Sequence, residues 1–225
     1  MDPLMIVSPH LDDAVLSCGQ LMAGRPDCVV VTVFATAPEV AQATPYDVSC
    51  GFTDSTWAMA ARQDEDDDAL RVLGARPVHM RFCDGQYGER DEGDLFNIAA
   101  ALQEAWDLLG RPPVMGPVGL AHPDHELVAA AVRRAFGHLP ECPELYAYEE
   151  LPARVLWPEL VRPALDLWEA ETAHHYELGF MGTGSRETKA MALLAYRSQL
   201  PLVNALEDGG GQVAMFCPER YWRPT

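Results

Sequence analysis

Positive charge is scarce in this chain of 225 residues: 16 Lys and Arg stand against 34 Asp and Glu, a formal net charge of −18. Affinity for a nucleic-acid duplex or an anionic membrane rests chiefly on Lys and Arg meeting phosphates, so neither is expected as a partner. Long apolar runs are missing too. Nothing approaches the roughly eighteen consecutive apolar residues of a spanning helix, and the N-terminus shows no basic stretch followed by an apolar run. The expectation is neither a membrane span nor secretion. Cys18, Cys28, Cys50, Cys83, Cys142 and Cys217 form no C-x-x-C pair and no close framework. That excludes a disulfide scaffold and a cysteine zinc site, and it reads as reduced thiols in a cytoplasm. Internal repeats and low-complexity linkers are also absent. Hydrophobic residues make up 48% of the chain, which excludes disorder as the main state and can fill one sizeable core. Residues 1–225 are read as a single domain.

The periodic segments set the fold class. Met5–Val7 is a short apolar run closed by Ser8-Pro9, after which Ala14, Val15, Leu16, Leu21 and Met22 recur at helical spacing, with Gly24 and Pro26 as the stop. Val29–Phe34 is an almost unbroken β-branched run, the composition of a strand covered on both faces. Residues 36–56 carry Pro, Thr, Ser, Asp and Gly without a period, which suggests a functional loop or lid. A helix is expected from Asp54 to Leu73, with Ala58, Arg62, Glu65, Ala69 and Val72 on its inward face. Then come a strand over Val78–Phe82, an Asp84-Gly85 turn, a helix over Leu95–Leu109 and a strand over Val114–Leu120. A helix opening at His122 runs through Phe136, Leu145–Tyr148 is a strand, and Lys189–Leu200 is a helix halted by Pro201. Residues 151–186 and 207–225 show no assignable period. Strands alternating with helices imply right-handed βαβ units, and so an α/β fold with one doubly wound, mostly parallel sheet.

In such sheets ligands bind where strands end and loops enter helices. Two of these loops carry metal-capable side chains: His10, Asp12 and Asp13 in the first, His122, Asp124 and His125 in the second. Taken alone, Asp12-Asp13 reads as a helix cap, and the histidines read as surface residues of a first turn. Two equivalent loops with complementary donors favour a shared cation. Two imidazoles and one carboxylate suit Zn2+ and leave positions open for chemistry, and other divalent ions such as Fe2+ accept similar donors. His10, Asp13 and His125 are assigned as ligands, and Asp12 as the general base for an attacking water. His122 then stabilises the oxyanion or protonates the leaving group, with Asp124 orienting it. His79, His138, His174 and His175 have no carboxylate at useful spacing. Among the acids of Asp64–Asp68, Asp64, Asp67 and Asp68 read as a solvated face, while Arg62 and Glu65 can pair at i,i+3 and reach the cavity.

Ser8-Pro9-His10-Leu11-Asp12-Asp13 and Ala121-His122-Pro123-Asp124-His125 resemble the paired motifs of the N-acetylglucosaminyl-phosphatidylinositol de-N-acetylase family, also called LmbE-like. Arg62…Glu65…Leu73-Gly74, Phe82…Asp84-Gly85 and Lys189…Ser198-Gln199 extend the resemblance to about residue 200. It departs at Leu11, where Pro is usual, and at Ala14, where Glu often follows. The resemblance implies a Rossmann-like domain and a zinc-dependent hydrolase that removes acetyl from N-acetylated amino sugars or glycosides. It places zinc on His10, Asp13 and His125, the base at Asp12 and the oxyanion at His122. Arg62, Glu65 and Asp84 are the expected substrate contacts, with specificity in loops 36–56 and 151–186. Two other readings stay open: a non-haem Fe(II) site built on His10, Asp12 and His125, and a member that binds sugar or metal without turnover. A homo-oligomer is left open as well.

Overall fold

The computed structural model describes residues 3–138, 143–181, 184–214 and 216–225. Strand β1 (Leu4–Ser8) leads to helix α1 (Asp13–Ala23), strand β2 (Cys28–Thr36), the short helix α2 (Pro45–Ser49) and α3 (Ser55–Leu73). Strand β3 (Arg76–Cys83), α4 (Glu92–Leu108), β4 (Val114–Pro117), α5 (Pro123–Phe136) and β5 (Leu145–Tyr148) follow. The last third holds α6 (Ala153–Leu156), α7 (Val161–Thr172), β6 (Tyr176–Met181), α8 (Arg186–Leu193), α9 (Leu200–Ala214) and β7 (Arg220–Pro224). All seven strands form one sheet in the order β3-β2-β1-β4-β5-β7-β6. β7 is antiparallel to both of its neighbours and the other pairs are parallel, so β7 alone runs against the rest.

Alternation along the two central strands sends side chains to two cores. Met5, Val7, Val29, Val31 and Val33 face Trp106, Phe136 and Trp168 from α4, α5 and α7. Leu4, Ile6, Cys28 and Val30 face Leu16, Met22, Leu70, Leu73 and Leu193 from α1, α3 and α8. Burial on both faces is why these strands are continuous apolar runs. The winding reverses between β1 and β4, which pair through Met5↔Val114 and Ile6↔Met115. The loops leaving these two strands therefore emerge side by side at the carboxyl edge, at the topological switch point.

Several expectations change. Pro201 does not end a helix that began at Lys189; it sits in the first turn of α9, where its missing N–H is no loss, and α8 stops at Leu193. β4 ends at Pro117, because Gly119 and Leu120 donate to the Glu150 carboxylate and not to a neighbouring strand. Val72 is 46% exposed, off the inward face of α3. Neither aspartate caps α1 through its side chain; Ser8 Oγ accepts from Ala14 N instead. His79 does have a carboxylate: its Nε2 lies 3.0 Å from Asp66 Oδ2, and Asp66, buried in the middle of the acidic run, also accepts from Tyr196 at 2.6 Å. Cys18, Cys28, Cys50, Cys83 and Cys217 are in no disulfide among the described residues, and Cys142 lies outside them. No helix among the described residues is long and apolar enough to cross a membrane.

The only lysine of the chain, Lys189 on α8, is buried and donates to Leu16 O at 2.5 Å and Glu219 Oε1 at 2.8 Å. Glu219, fully buried, also accepts from Gln20 N and Leu21 N, so this ion pair ties α1 and α8 to the residue that leads into β7. Removing one partner strands the other charge, so Lys189→Met is expected to cost about 3–5 kcal/mol in urea unfolding, part of it recovered by adding Glu219→Leu. A loss under about 1 kcal/mol would contradict the pair's role. At His79, burial favours the neutral ring, but the bond to Asp66 and the Asp66 and Asp67 charges win and raise its pKa above 6.5. A raised folded value means stabilisation that is complete below 6.5 and lost as pH rises through the folded value. His79→Gln should therefore lower the melting temperature more at pH 6 than at pH 9, and an equal loss at both would exclude the charged pair.

Candidate active site and metal centre

The β1 loop turns tightly: Ser8 Oγ donates to His10 O at 2.7 Å, and His10 N donates to Asp13 Oδ2 at 2.9 Å. The second loop carries a forced backbone. Gly119 has φ +96°, a left-handed value suited to glycine, and Ala121 sits at φ 61° directly before His122. His122 caps α5, its Nδ1 accepting from Asp124 N at 3.1 Å, with Pro123 in the first turn. This arrangement brings three imidazoles into a triangle, with ring centres of His10, His122 and His125 5.2–5.3 Å apart.

Within it, Asp13 Oδ2 lies 3.2 Å from His10 Nδ1 and 3.2 Å from His125 Nε2. One donor atom from each of these residues falls within 4.8 Å of the others, a set that can grip one cation. His10, His122 and Asp124 satisfy the same test. Their carboxylate is already spent, since Asp124 accepts from Gly85 N at 2.9 Å, from Arg90 Nε and Nη2 at 3.0 and 2.6 Å, and from His10 Nε2 at 3.2 Å. Arg90 would also repel a cation there. The first set is therefore the better fit, and it contains Asp13, not Asp12, which removes support from the Fe(II) triad built on Asp12.

Electrostatics agree. Burial favours neutral His10, but hydrogen bonds to Asp124 and Asp13 hold its pKa well above the usual imidazole value. Burial likewise opposes the charge on His125, and the Asp13 carboxylate overrides it, pushing the value up to about 9. Asp13 is held far below the usual carboxylate range, burial notwithstanding, by His125 and His10. The point these three residues share favours positive charge, as a divalent-ion site must. Asp12 is the opposite case: burial and the Asp13 charge push it up to about 7, and its carboxylate has no hydrogen-bond partner among the described residues. Burial and the two neighbouring imidazoles lower His122.

Not every expected contact forms. The Asp124 carboxylate grips His10, not His122; only the Asp124 backbone N–H reaches His122. Its close approach depends on Gly85, whose absent Cβ would sit 2.9 Å from Asp124 Oδ1. Arg62 does not pair with Glu65. It bonds Asp47 on α2 at 2.7 Å, while Glu65 accepts from Ser198 N and Oγ at 2.9 and 2.7 Å, away from the cavity. Arg62 and Asp84 do line the cavity of about 470 Å³ that holds His10, Asp12, Asp13, His122 and His125. Residues 36–56 are latched down: Arg62 and Tyr87 both bond Asp47, and Thr44 bonds Gln86 at 2.6 Å. The far wall is apolar, with Leu151, Pro152 and Trp157 facing Leu202, Val203 and Leu206 of α9.

Sequence reasoning missed Arg90, Asp47 and Glu150. Arg90 and Asp47 lie in stretches without a period. Glu150 had a signal, since it directly follows β5 at the same sheet edge.

A family model described as PIG-L: GlcNAc-PI de-N-acetylase matches residues 5–136. The 2'-N-acetylparomamine deacetylase of Streptomyces fradiae is 32% identical over 66% of this chain and 56% of its own length, so the match spans little more than half of that relative. The enzyme of the same name from Niallia circulans is 28% identical over 87% of this chain and 80% of its own. Among solved structures, the zinc inhibited form of teicoplanin deacetylase Orf2 superposes with a TM-score of 0.79 and 25% identity, covering 99% of this chain and 98% of that one.

If His10, Asp13 and His125 form the centre, His125→Ala and Asp13→Ala should each weaken Zn2+ binding by about 100-fold or more, while Asp12→Asn leaves stoichiometry intact. Calorimetric titration of the metal-free protein reads this directly. Loss of binding in Asp12→Asn would make Asp12 a ligand.

Proposed function

The chain belongs to the PIG-L family of de-N-acetylases, and from that premise we propose that it is a metal-dependent N-deacetylase acting on an N-acetylated amino sugar or glycoside. The observation that carries the reading is the shared position of the His10, Asp13 and His125 donors with an unpartnered Asp12 beside them. Zn2+ is the proposed cation; bound there, it would polarise the acetyl carbonyl and make water a nucleophile near neutral pH.

The chain's own groups supply the rest. Asp12, poised near 7, takes a proton from the attacking water at a carboxylate oxygen and can return it to the leaving nitrogen. His122 receives the Asp124 N–H at Nδ1, so its proton sits on Nε2. From there it donates to the carbonyl oxygen as negative charge develops. Its lowered pKa favours this neutral donor role over that of an acid. Arg62 and Asp84 are proposed to hold sugar hydroxyls; Glu65, turned to Ser198, serves that stretch of chain instead. Loops 36–56 and 151–186 are proposed to set specificity, because Tyr46, Leu151, Pro152 and Trp157 all line the cavity. We read 1–225 as one catalytic domain and, from the reduced thiols, place it in the cytoplasm.

A screen of acetate release from N-acetylglucosaminides and 2'-N-acetylparomamine by the Zn2+-loaded protein tests the proposal. Turnover should fall by about 10²–10⁴-fold in Asp12→Asn at unchanged metal content. No release from any N-acetyl sugar by the loaded protein would leave only a binding role.

A further inference from the structure

Glu150 follows β5 and is 1% exposed. Its Oε1 accepts from Gly119 N at 2.7 Å and Leu120 N at 2.9 Å, and its Oε2 from Val118 N at 3.1 Å. These three amides belong to the loop that delivers His122 and His125. The same Oε1 lies 3.6 Å from His125 Nδ1, a buried nitrogen with no hydrogen-bond partner among the described residues. The opposite nitrogen, Nε2, faces Asp13. A cation gripped at Nε2 requires the ring proton on Nδ1, where Glu150 is the carboxylate within reach. His10 has the matching arrangement on its far side, with Asp124 at Nε2.

We propose that Glu150 is a positioning residue of the metal centre: its carboxylate fixes the His125 loop and accepts a hydrogen bond from the Nδ1 N–H, presenting Nε2 to the cation. This rests on the metal-dependent reading above. The outer carboxylates then come from two separate elements, Asp124 in the first turn of α5 and Glu150 just after β5, one behind each histidine ligand. Such partners orient a ligating imidazole and raise its basicity.

Glu150→Gln tests the charge, because the amide oxygen can still accept from Gly119 and Leu120. Competition titration with a chelator should show Zn2+ affinity lowered about 10–100-fold, and the visible spectrum of the Co2+-loaded variant should shift. Glu150→Asp, which keeps the charge but shortens the reach, should recover less than half of the loss. A purely structural role predicts a lower melting temperature with affinity within twofold of the parent protein, and that result would overturn the proposal. Should the variants not fold, nitrogen-15 NMR of histidine in the Zn2+-loaded parent protein decides. A slowly exchanging proton on His125 Nδ1 supports the assignment, and a proton on Nε2 refutes it. If the parent protein binds no cation at all, the metal reading fails first and takes this inference with it.

Discussion

The oxygen Asp13 Oδ2 stands between an imidazole of the β1 loop and one of the β4 loop, 3.2 Å from each. Bringing that much polar surface to one buried point is costly unless every group is paired. The fold brings the groups together through topology. β1 and β4 are adjacent across the point where the winding reverses, so two loops more than a hundred residues apart in sequence begin about one strand spacing from each other. Hydrophobic burial on both faces of the sheet holds those strand ends still. The polar groups then need only short loops to meet.

Around this point lies a set of carboxylates with separate duties. Asp13 stays ionised because two imidazoles want its charge, and Asp124, despite burial, because the His10 ring, the Gly85 amide and Arg90 satisfy it. Asp12, half-buried and without a hydrogen-bond partner among the described residues, holds its proton more readily than its neighbours. On the proposed reading, acids of one type become an anchor, an orienting group and a proton carrier through environment alone.

The sequence carried the parts of this design that are local. A strand, a turn and a helix start are written within a few residues, so His10, Asp13, His122 and His125 could be placed on equivalent loops. Partnerships across the fold were not readable. Spacing suggested Arg62 with Glu65 and Asp124 with His122, whereas the folded chain offers Arg62 a buried Asp47 and offers Asp124 the ring of His10. The late elements escaped for different reasons. Helix α9 contains Gly209, Gly210 and Gly211, poor helix formers whose apolar periodicity is diluted, and it owes its place to packing over the cavity. β7 runs against the other strands after a stretch without a period, so no βαβ rhythm announced it.

The most direct test of the account is an anomalous diffraction map recorded at the zinc edge from crystals grown with one equivalent of Zn2+. The account predicts one strong peak bounded by His10, Asp13 and His125, at about 2.0–2.2 Å from one atom of each, with Asp12 close by but not bonded. A peak held by Asp124 with His122, or zinc scattered over surface carboxylates with this pocket empty, would contradict it.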